Sequence, residues 1–406
     1  MNKPLFTMAI AAYNNYKYLR EAVDSVLNQT YENIEIIISN DGSKDFNEVE
    51  IAEYIDKNKG NNITNVIVNN FETNQGTVKN VNYLCKMAKG TYIMFMAADD
   101  ALYNENVIAA FVDSFENENS DRYCICGKVA MCGTELDDVM DYVPSDDDEQ
   151  ILRQGDSKVV FSKLARGAFI PTTSCCYKKS VFELLGYNDE KNYIIEDYSF
   201  HVKMALNDYR FGWVDNLIGA RHRDGGISHG NTRVKSESYR RYRYDEIQII
   251  RDDVLPNLEK IFSEDKNALL KKWEYLKQAY YLDFIEGEDK SYEIREYDRA
   301  FCEEIIPIYK KKIKLLKITR KLSAVAQTTN LVYNGIALIL ALTGIWGVQI
   351  VNNCCISLLP EYVYGRMEKT LYMLIILMLC FAALYFILRI LLRVMYDMLT
   401  KIGAFV

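Results

Sequence analysis

The run Thr91-Tyr92-Ile93-Met94-Phe95-Met96-Ala97-Ala98-Asp99-Asp100 is an apolar, β-forming stretch that ends in two adjacent carboxylates. Paired carboxylates at the carboxyl end of a buried strand are poorly tolerated unless positive charge meets them. A divalent cation carrying a diphosphate is the natural tenant of such a corner. Four other constellations carry candidate chemistry. They are Ala11-Ala12-Tyr13-Asn14, followed by Leu27-Asn28-Gln29-Thr30-Tyr31; Glu35-Ile36-Ile37-Ile38-Ser39-Asn40-Asp41-Gly42-Ser43; Asn74-Gln75-Gly76 with Lys79-Asn80; and Glu196-Asp197, with Glu190 just upstream. Taken singly, Asp41-Gly42-Ser43 is a turn signal, and Glu196-Asp197 suits the acidic first turn of a helix.

The elements that must position these residues alternate. Residues 5–12 read as a buried strand, and Leu19, Ala22, Val23, Val26 and Leu27 then recur at helical spacing. Ile34 to Ser39 is the next strand, 46–59 a polar helix, Asn65 to Val68 a third strand and 77–89 a helix. The strand ending at Asp99 follows, then a helix with Asn104 as cap and Ile108, Phe111, Val112 and Phe115 on one face. Strands alternating with helices predict an α/β fold, a mostly parallel sheet flanked by helices with its ligands at the carboxyl ends of the strands. The acidic stretch Asp137 to Glu149 reads as a solvated loop, and 235–325 as helical, polar and tyrosine-rich without an obvious site.

Bulk composition narrows the partners. A net charge of -8 over 406 residues argues against a nucleic-acid binder, since no cationic excess is available to displace counterions. The patch Tyr239-Arg240-Arg241-Tyr242-Arg243-Tyr244 is the one local exception and reads as a helix face or a phosphate-lined groove. The ten cysteines lack metal-ligand spacing and are expected to be reduced thiols.

The carboxyl-terminal stretch is different material. Leu331 to Val351 and Leu371 to Leu388 contain no charged residue, and each is long enough to cross a bilayer core. Lys310-Lys311-Lys312 to Lys321 precede the first, and Arg389, Arg393 and Lys401 follow the second. The distribution predicts two transmembrane helices, about 331–351 and 371–392, with both termini on the cytoplasmic side of the cell membrane.

In their order and spacing, the five constellations resemble the family 2 glycosyltransferases over about residues 4–230. Members of that family carry Pro-Thr-Tyr-Asn, Gln-Thr-Tyr, Asp-Asp-Gly-Ser, Asn-x-Gly, an Asp-x-Asp or x-Asp-Asp, and Glu-Asp. The resemblance implies a GT-A-type, Rossmann-like nucleotide-diphospho-sugar transferase fold. A catalytic domain over 1–230 would have a donor half of about 1–105 and an acceptor half of about 106–230. A helical linker would follow over 231–328, then the membrane anchor over 329–406.

It also implies roles. Ala12, Tyr13 and Asn14 would line the nucleobase slot, Asp41 would accept from the uracil imide, and Lys79 would sit near the base or diphosphate. Asp99 would hold the ribose, Asp100 would ligate Mn2+ or Mg2+, and Asp197 would be the catalytic base, with Glu196 beside it. The expected partners are a nucleotide-sugar donor, a saccharide or lipid-linked acceptor and a membrane, in cell-surface polysaccharide or glycolipid synthesis.

The chain departs from the family pattern in three places. Ala11 stands where proline is common, and Asn40 replaces the first aspartate of Asp-Asp-Gly-Ser. In Arg221-His222-Arg223-Asp224-Gly225-Gly226-Ile227-Ser228 the family's histidine position falls on Arg223, with His222 one place early. Arg221 and Arg223 are therefore candidate cations on the diphosphate side, and His222 a candidate metal ligand. Two alternatives remain open at this point. A polyprenyl-phosphate sugar transferase would usually show Asp-Ala-Asp-Leu-Gln where this chain has Ala98-Asp99-Asp100-Ala101-Leu102. A catalytically idle nucleotide-sugar-binding subunit would have no need of intact Asp41, Asp100 and Asp197.

Overall fold

Residues 6–12, 34–40 and 92–97 bury side chains on both faces, the pattern of strands enclosed within a parallel sheet. In the computed structural model they are β1 (Phe6–Ala12), β2 (Ile34–Asn40) and β4 (Tyr92–Ala97), with β3 (Ile63–Asn70) at the sheet's edge. The structure describes residues 3–117, 120–225, 236–286 and 294–314, together with Ile387, Ile390, Leu391 and Val394. Between the first strands run α1 (Leu19–Leu27), α2 (Glu48–Asn58) and α3 (Thr77–Met87). All five apolar residues expected on one face of α1 are buried.

The second half adds β5 (Ala101–Leu102), α4 (Val107–Asn117), β6 (Cys124–Cys132), β7 (Val139–Val143), α5 (Asp146–Gln154) and α6 (Ser157–Leu164). It continues with β8 (Cys175–Lys178), α7 (Ser180–Leu185), α8 (Asp197–Leu206), β9 (Phe211–Arg223), α9 (Glu237–Ile249) and α10 (Ser263–Phe284). The strands form one sheet in the order β3-β2-β1-β4-β8-β6-β9-β5, with β7 paired to β6.

The expectation of a mostly parallel sheet holds only for the first half. β3-β2-β1-β4 is parallel, but β8 runs antiparallel to both β4 and β6, and β5 runs antiparallel to β9. The antiparallel insertion pairs β8 with the first half of β4, Cys176 opposite Met94, so the chain just before β8 runs along the rest of β4 towards its carboxyl end. Residues that precede β8 in sequence therefore reach the edge where Asp99 and Asp100 lie.

Several motif residues turn out to build the frame. Gln29 accepts from Ile108 N–H at 3.1 Å and donates to the carbonyl of Asn104 at 2.6 Å, so it caps the start of α4. Tyr31 donates to the carbonyl of Pro4 at 2.6 Å. Glu35, fully buried, accepts from Thr7 Oγ1 at 2.8 Å, Lys89 N–H at 2.9 Å and Asn65 Nδ2 at 2.8 Å. It thus ties β1, β2, β3 and the entry to β4 at the end of the sheet opposite the ligand edge.

The acidic run Asp146-Asp147-Asp148-Glu149 is not a loop. It is the first turn of α5, capped by Ser145, whose hydroxyl accepts from Asp148 N–H. Four carboxylates there meet the positive end of the helix dipole, which is why so polar a run folds as a helix.

The chain divides into two compact units, Met1–Tyr292 and Glu293–Val406, and α9 and α10 belong to the first. Among the described residues no helix is long and apolar enough to cross a membrane. The two expected spans, about 331–351 and 371–392, lie outside the described residues except for Ile387, Ile390 and Leu391, which are helical and exposed.

The Glu35 cluster predicts a stability effect. Glu35→Ala strands three donors in the sheet and is expected to lower unfolding free energy by about 3 kcal/mol. Glu35→Gln, which keeps an acceptor oxygen, should lose less. Denaturant titration of both variants checks this, and equal losses would contradict it.

Candidate active site

The carboxyl ends of β1, β2 and β4 converge on a set of polar turns. Ala12 closes β1, buried, and its carbonyl accepts from Asp41 N–H at 2.8 Å. Tyr13 is 46 % exposed and open to a ligand. Asn14 adopts a left-handed conformation (φ 55°), and its N–H donates to Ser43 Oγ at 2.8 Å. Ser43 in turn donates to Asn40 Oδ1 at 2.6 Å, and Asn40 Nδ2 donates to Asn70 at 2.8 Å. Asn40 must therefore accept on one side and donate on the other. An amide does both, whereas an ionised carboxylate only accepts.

Asp41 is held across the β2–α3 junction. Its two oxygens accept from Gln75 N–H at 2.7 Å and Gly76 N–H at 3.0 Å. Burial raises its pKa, and the two backbone donors only partly offset that. Two glycines make this closure feasible. Gly42 (φ +78°) would place a Cβ 2.6 Å from the Asn74 backbone, and Gly76 (φ +91°) would place one 2.7 Å from the Tyr193 ring. Lys79 is exposed on the first turn of α3.

At the end of β4, Asp99 Oδ1 accepts from Asn15 Nδ2 at 3.0 Å, and Asn15 Oδ1 accepts from Tyr13 N–H at 3.0 Å. Asn15 thereby links the Tyr13 turn to the first carboxylate. Asp100 is 2 % exposed. It meets His222 Nδ1 at 3.0 and 3.1 Å and accepts from Arg223 N–H at 3.1 Å. Burial pushes the Asp100 carboxyl up, opposed by His222 and by the Arg223 N–H. Burial works against charge on His222 too, but the hydrogen bond to Asp100 and the charges of Asp100, Asp99 and Asp224 outweigh it and raise its pKa.

Neighbouring residues on a strand point to opposite faces, which separates the roles of His222 and Arg223. His222 turns to Asp100. Arg223 is 3 % exposed, and its guanidinium is spent internally. Nε donates to the Asp99 carbonyl at 3.1 Å, Nη1 to the Thr134 carbonyl and Nη2 to Glu21 at 2.5 Å, while the group lies 4.1 Å over the Tyr18 ring. Arg223 thus braces the Asp99–Asp100 turn from behind. Arg221 donates to the Tyr103 carbonyl at 3.0 Å and lies over the Tyr103 ring, alongside the β5–β9 pairing. Residues 226–235, including the expected Ser228, lie outside the described residues.

Asp100 and His222 fit a divalent cation. With metal–ligand bonds of about 2.1 Å, adjacent ligands of an octahedral ion lie about 3.0 Å apart. The 3.0 Å between Asp100 Oδ1 and His222 Nδ1 is the length of the hydrogen bond they make, and an ion could take the place of the shared proton without moving the two groups apart.

Asp197 opens α8, and Thr172, just before β8, donates to its Oδ2 at 2.7 Å. Its Oδ1 accepts from Tyr198 N–H at 2.6 Å. Thr172 lies on the segment that the antiparallel β8 brings to the carboxyl end of β4. Asp197 is therefore presented at the same edge of the sheet as Asp41, Asp99 and Asp100. Beside it, burial first and the charges of Asp197 and Asp245 next push the Glu196 carboxyl up to about 8.

A separate cluster forms under α8. Cys124, Cys175 and His201 bring soft donor atoms within 4.8 Å of one another, all buried, which sequence spacing did not suggest. His201 Nε2 is engaged by the Tyr177 hydroxyl at 2.7 Å, and Cys126 Sγ lies 3.1 Å from Cys175 Sγ. Cys124, Cys126 and Cys175 are fully buried, where thiols pack as small apolar groups. A cleft of about 680 Å³ lies elsewhere, between α2 and the edge strand β3, lined by residues such as Val49, Asp56, Lys59, Thr64 and Val68.

Residues 7–184 match the profile of Glycosyl transferase family 2. An uncharacterized glycosyltransferase of Rickettsia typhi is 39 % identical over 125 residues, 30 % of this chain and 36 % of that protein. The minor teichoic acid biosynthesis protein GgaB of Bacillus subtilis is 38 % identical over 118 residues, 28 % of this chain and 12 % of that protein. The match to the Rickettsia typhi relative thus spans about a third of that protein's length. Among solved structures, Staphylococcus aureus TarS residues 1–349 in complex with UDP-GlcNAc is 19 % identical with a TM-score of 0.47, covering 75 % of this chain and 80 % of that one.

The position of Glu196 yields a pH prediction. Folding raises its pKa from the ordinary 4.5 to about 8, so its contribution to stability is full below pH 4.5 and is lost as pH rises through about 8. Glu196→Gln stays neutral throughout. The melting temperature of the wild type should therefore fall relative to the variant between pH 4.5 and 8. Parallel curves would contradict this.

Proposed function

We propose that this chain is a membrane-anchored inverting glycosyltransferase. It moves a sugar from a UDP-sugar to a hydroxyl of a saccharide or lipid-linked saccharide, in synthesis of a cell-surface polymer or glycolipid. The observation that carries the reading is the arrangement at one sheet edge: Asp41 held by the Gln75 and Gly76 N–H groups, Asp100 paired with His222, and Asp197 hydrogen-bonded by Thr172. The teichoic-acid role in the name of the GgaB relative supports a polymer acceptor. The two uncharged carboxyl-terminal stretches with basic flanks support the anchor and a cytoplasmic active site.

The chain's residues divide the chemistry. Asp41 accepts from an imide N–H of the base, while Tyr13 offers a ring to stack on it. Asp99, oriented by Asn15, takes the ribose hydroxyls. Asp100 and His222 would hold the divalent cation, which when bound neutralises the departing diphosphate. Arg223 keeps both carboxylates of the turn in place. Asp197 accepts the proton of the acceptor hydroxyl as it attacks the anomeric carbon. One displacement without a covalent intermediate inverts that centre. Glu196 lies beside Asp197, its carboxyl pushed up to about 8 by burial and by the charge of Asp197.

Two variants test the assignment. Asp197→Asn is expected to lower kcat for transfer by about 10²–10⁴-fold while UDP binding with Mn2+ stays within about two-fold. Asp100→Ala is expected to weaken Mn2+-dependent UDP binding at least ten-fold by calorimetry. Full activity of the first variant, or unchanged affinity of the second, would overturn the respective role.

A further inference from the structure

The connection from α7 to α8 runs through residues 186–196 without helix or strand, and it carries the candidate base at its end. An irregular segment of this kind places a carboxylate accurately only if its backbone is fixed from outside. The structure shows what fixes it. Asp245, on α9, is fully buried. Its Oδ2 accepts from three consecutive backbone N–H groups, those of Tyr193 at 2.9 Å, Ile194 at 2.6 Å and Ile195 at 3.1 Å. Three successive N–H groups turned to one point form an anion-binding concavity. Here the anion is a side chain from a helix some fifty residues later.

The opposite side of the same segment is tied to the donor half. Tyr193 donates its hydroxyl to Asn74 Oδ1 at 2.5 Å, and its carbonyl accepts from Val78 N–H at 3.3 Å. Asn74 Oδ1 also accepts from Gly76 N–H at 3.0 Å, the same N–H that reaches Asp41. Asn82, further along α3, pairs with Asn188 and donates to Glu190. Arg241, one turn before Asp245 on α9, lies 4.9 Å from the centre of the Tyr193 ring. The segment is therefore gripped between α3 and α9 immediately before Glu196 and Asp197.

From this geometry we propose that Asp245 is a positioning residue for transfer: by gathering the N–H groups of residues 193–195 it sets the place of Asp197 and locks it in register with the donor loop at Asn74–Gly76. The proposal rests on the reading of Asp197 as the base. It also gives α9 a part in catalysis, in a region whose sequence showed no site. Asp245 touches no reacting atom, so its effect must pass through Asp197.

That last point makes the test a cycle. Kinetics of transfer would be measured for wild type, Asp245→Ala, Asp245→Asn, Asp197→Asn and the double variant Asp245→Ala/Asp197→Asn, with UDP affinity by calorimetry for each. Asp245→Ala should lower kcat at least ten-fold with UDP affinity within about two-fold of wild type. Asp245→Asn, whose amide oxygen still accepts, should lose less. In the Asp197→Asn background, adding Asp245→Ala should change kcat by no more than about two-fold, because the group it positions is gone.

If the alanine variant fails to fold, the asparagine variant carries the same cycle. Wild-type kcat in both Asp245 variants, or a full multiplicative loss in the double variant, overturns the proposal. Wild-type kcat in Asp197→Asn alone overturns the assignment of the base instead, so the two failures are told apart.

Discussion

Asp100 sits 2 % exposed where β4 turns into β5, and a carboxylate so placed must be met by donors or give up its charge. Much of the architecture around it answers that requirement. β9 runs in from the far half of the sheet to bring His222 to the carboxylate and an Arg223 N–H beside it. The Arg223 side chain, buried behind the turn, takes the Asp99 carbonyl and is itself satisfied by Glu21 and Thr134. The proton shared by His222 Nδ1 and Asp100 is what a bound cation would displace, leaving carboxylate and imidazole both as ligands. Stability of the turn and readiness for a divalent ion thus come from the same pair.

The same economy recurs at the other carboxylates. Asp41 is held by Gln75 and Gly76, Asp197 by Thr172 and Tyr198, and Asp245 by three backbone groups. None of these partners is a cation, so each acid is oriented by neutral donors. Charge is left over for a base, a proton or a metal-bound phosphate to use. Rigidity is supplied separately, by Glu35 at the opposite end of the strands.

What could be read in the sequence follows from how local each signal is. The strands of the first half, the apolar face of α1 and the carboxylates at the end of β4 are written in contiguous residues, and the structure has them as expected. Asp146 to Glu149 misled because a run of four acids looks solvated until Ser145 is seen as its cap. The mixed sheet could not be read from alternation alone, since β8 inserts by a long-range pairing. Arg223 and His222 are adjacent, and only the register of β9 on β6 and β5 decides which faces the carboxylate. Asn15, Thr172, Tyr193 and Asp245 carry no motif, because each acts through one contact to a residue distant in the chain. The signal that could have found Thr172 or Asp245 is a pairwise one, absent from a single sequence.

Crystals grown with UDP and Mn2+, with data collected at the manganese absorption edge, test the central claim most directly. The account predicts an anomalous peak at bonding distance from Asp100 and bridging to the diphosphate, the base against Asp41 and Tyr13, and the Asp197 carboxylate facing the sugar side of the same hollow. A manganese peak remote from Asp100, or a nucleotide bound away from Asp41, would contradict it.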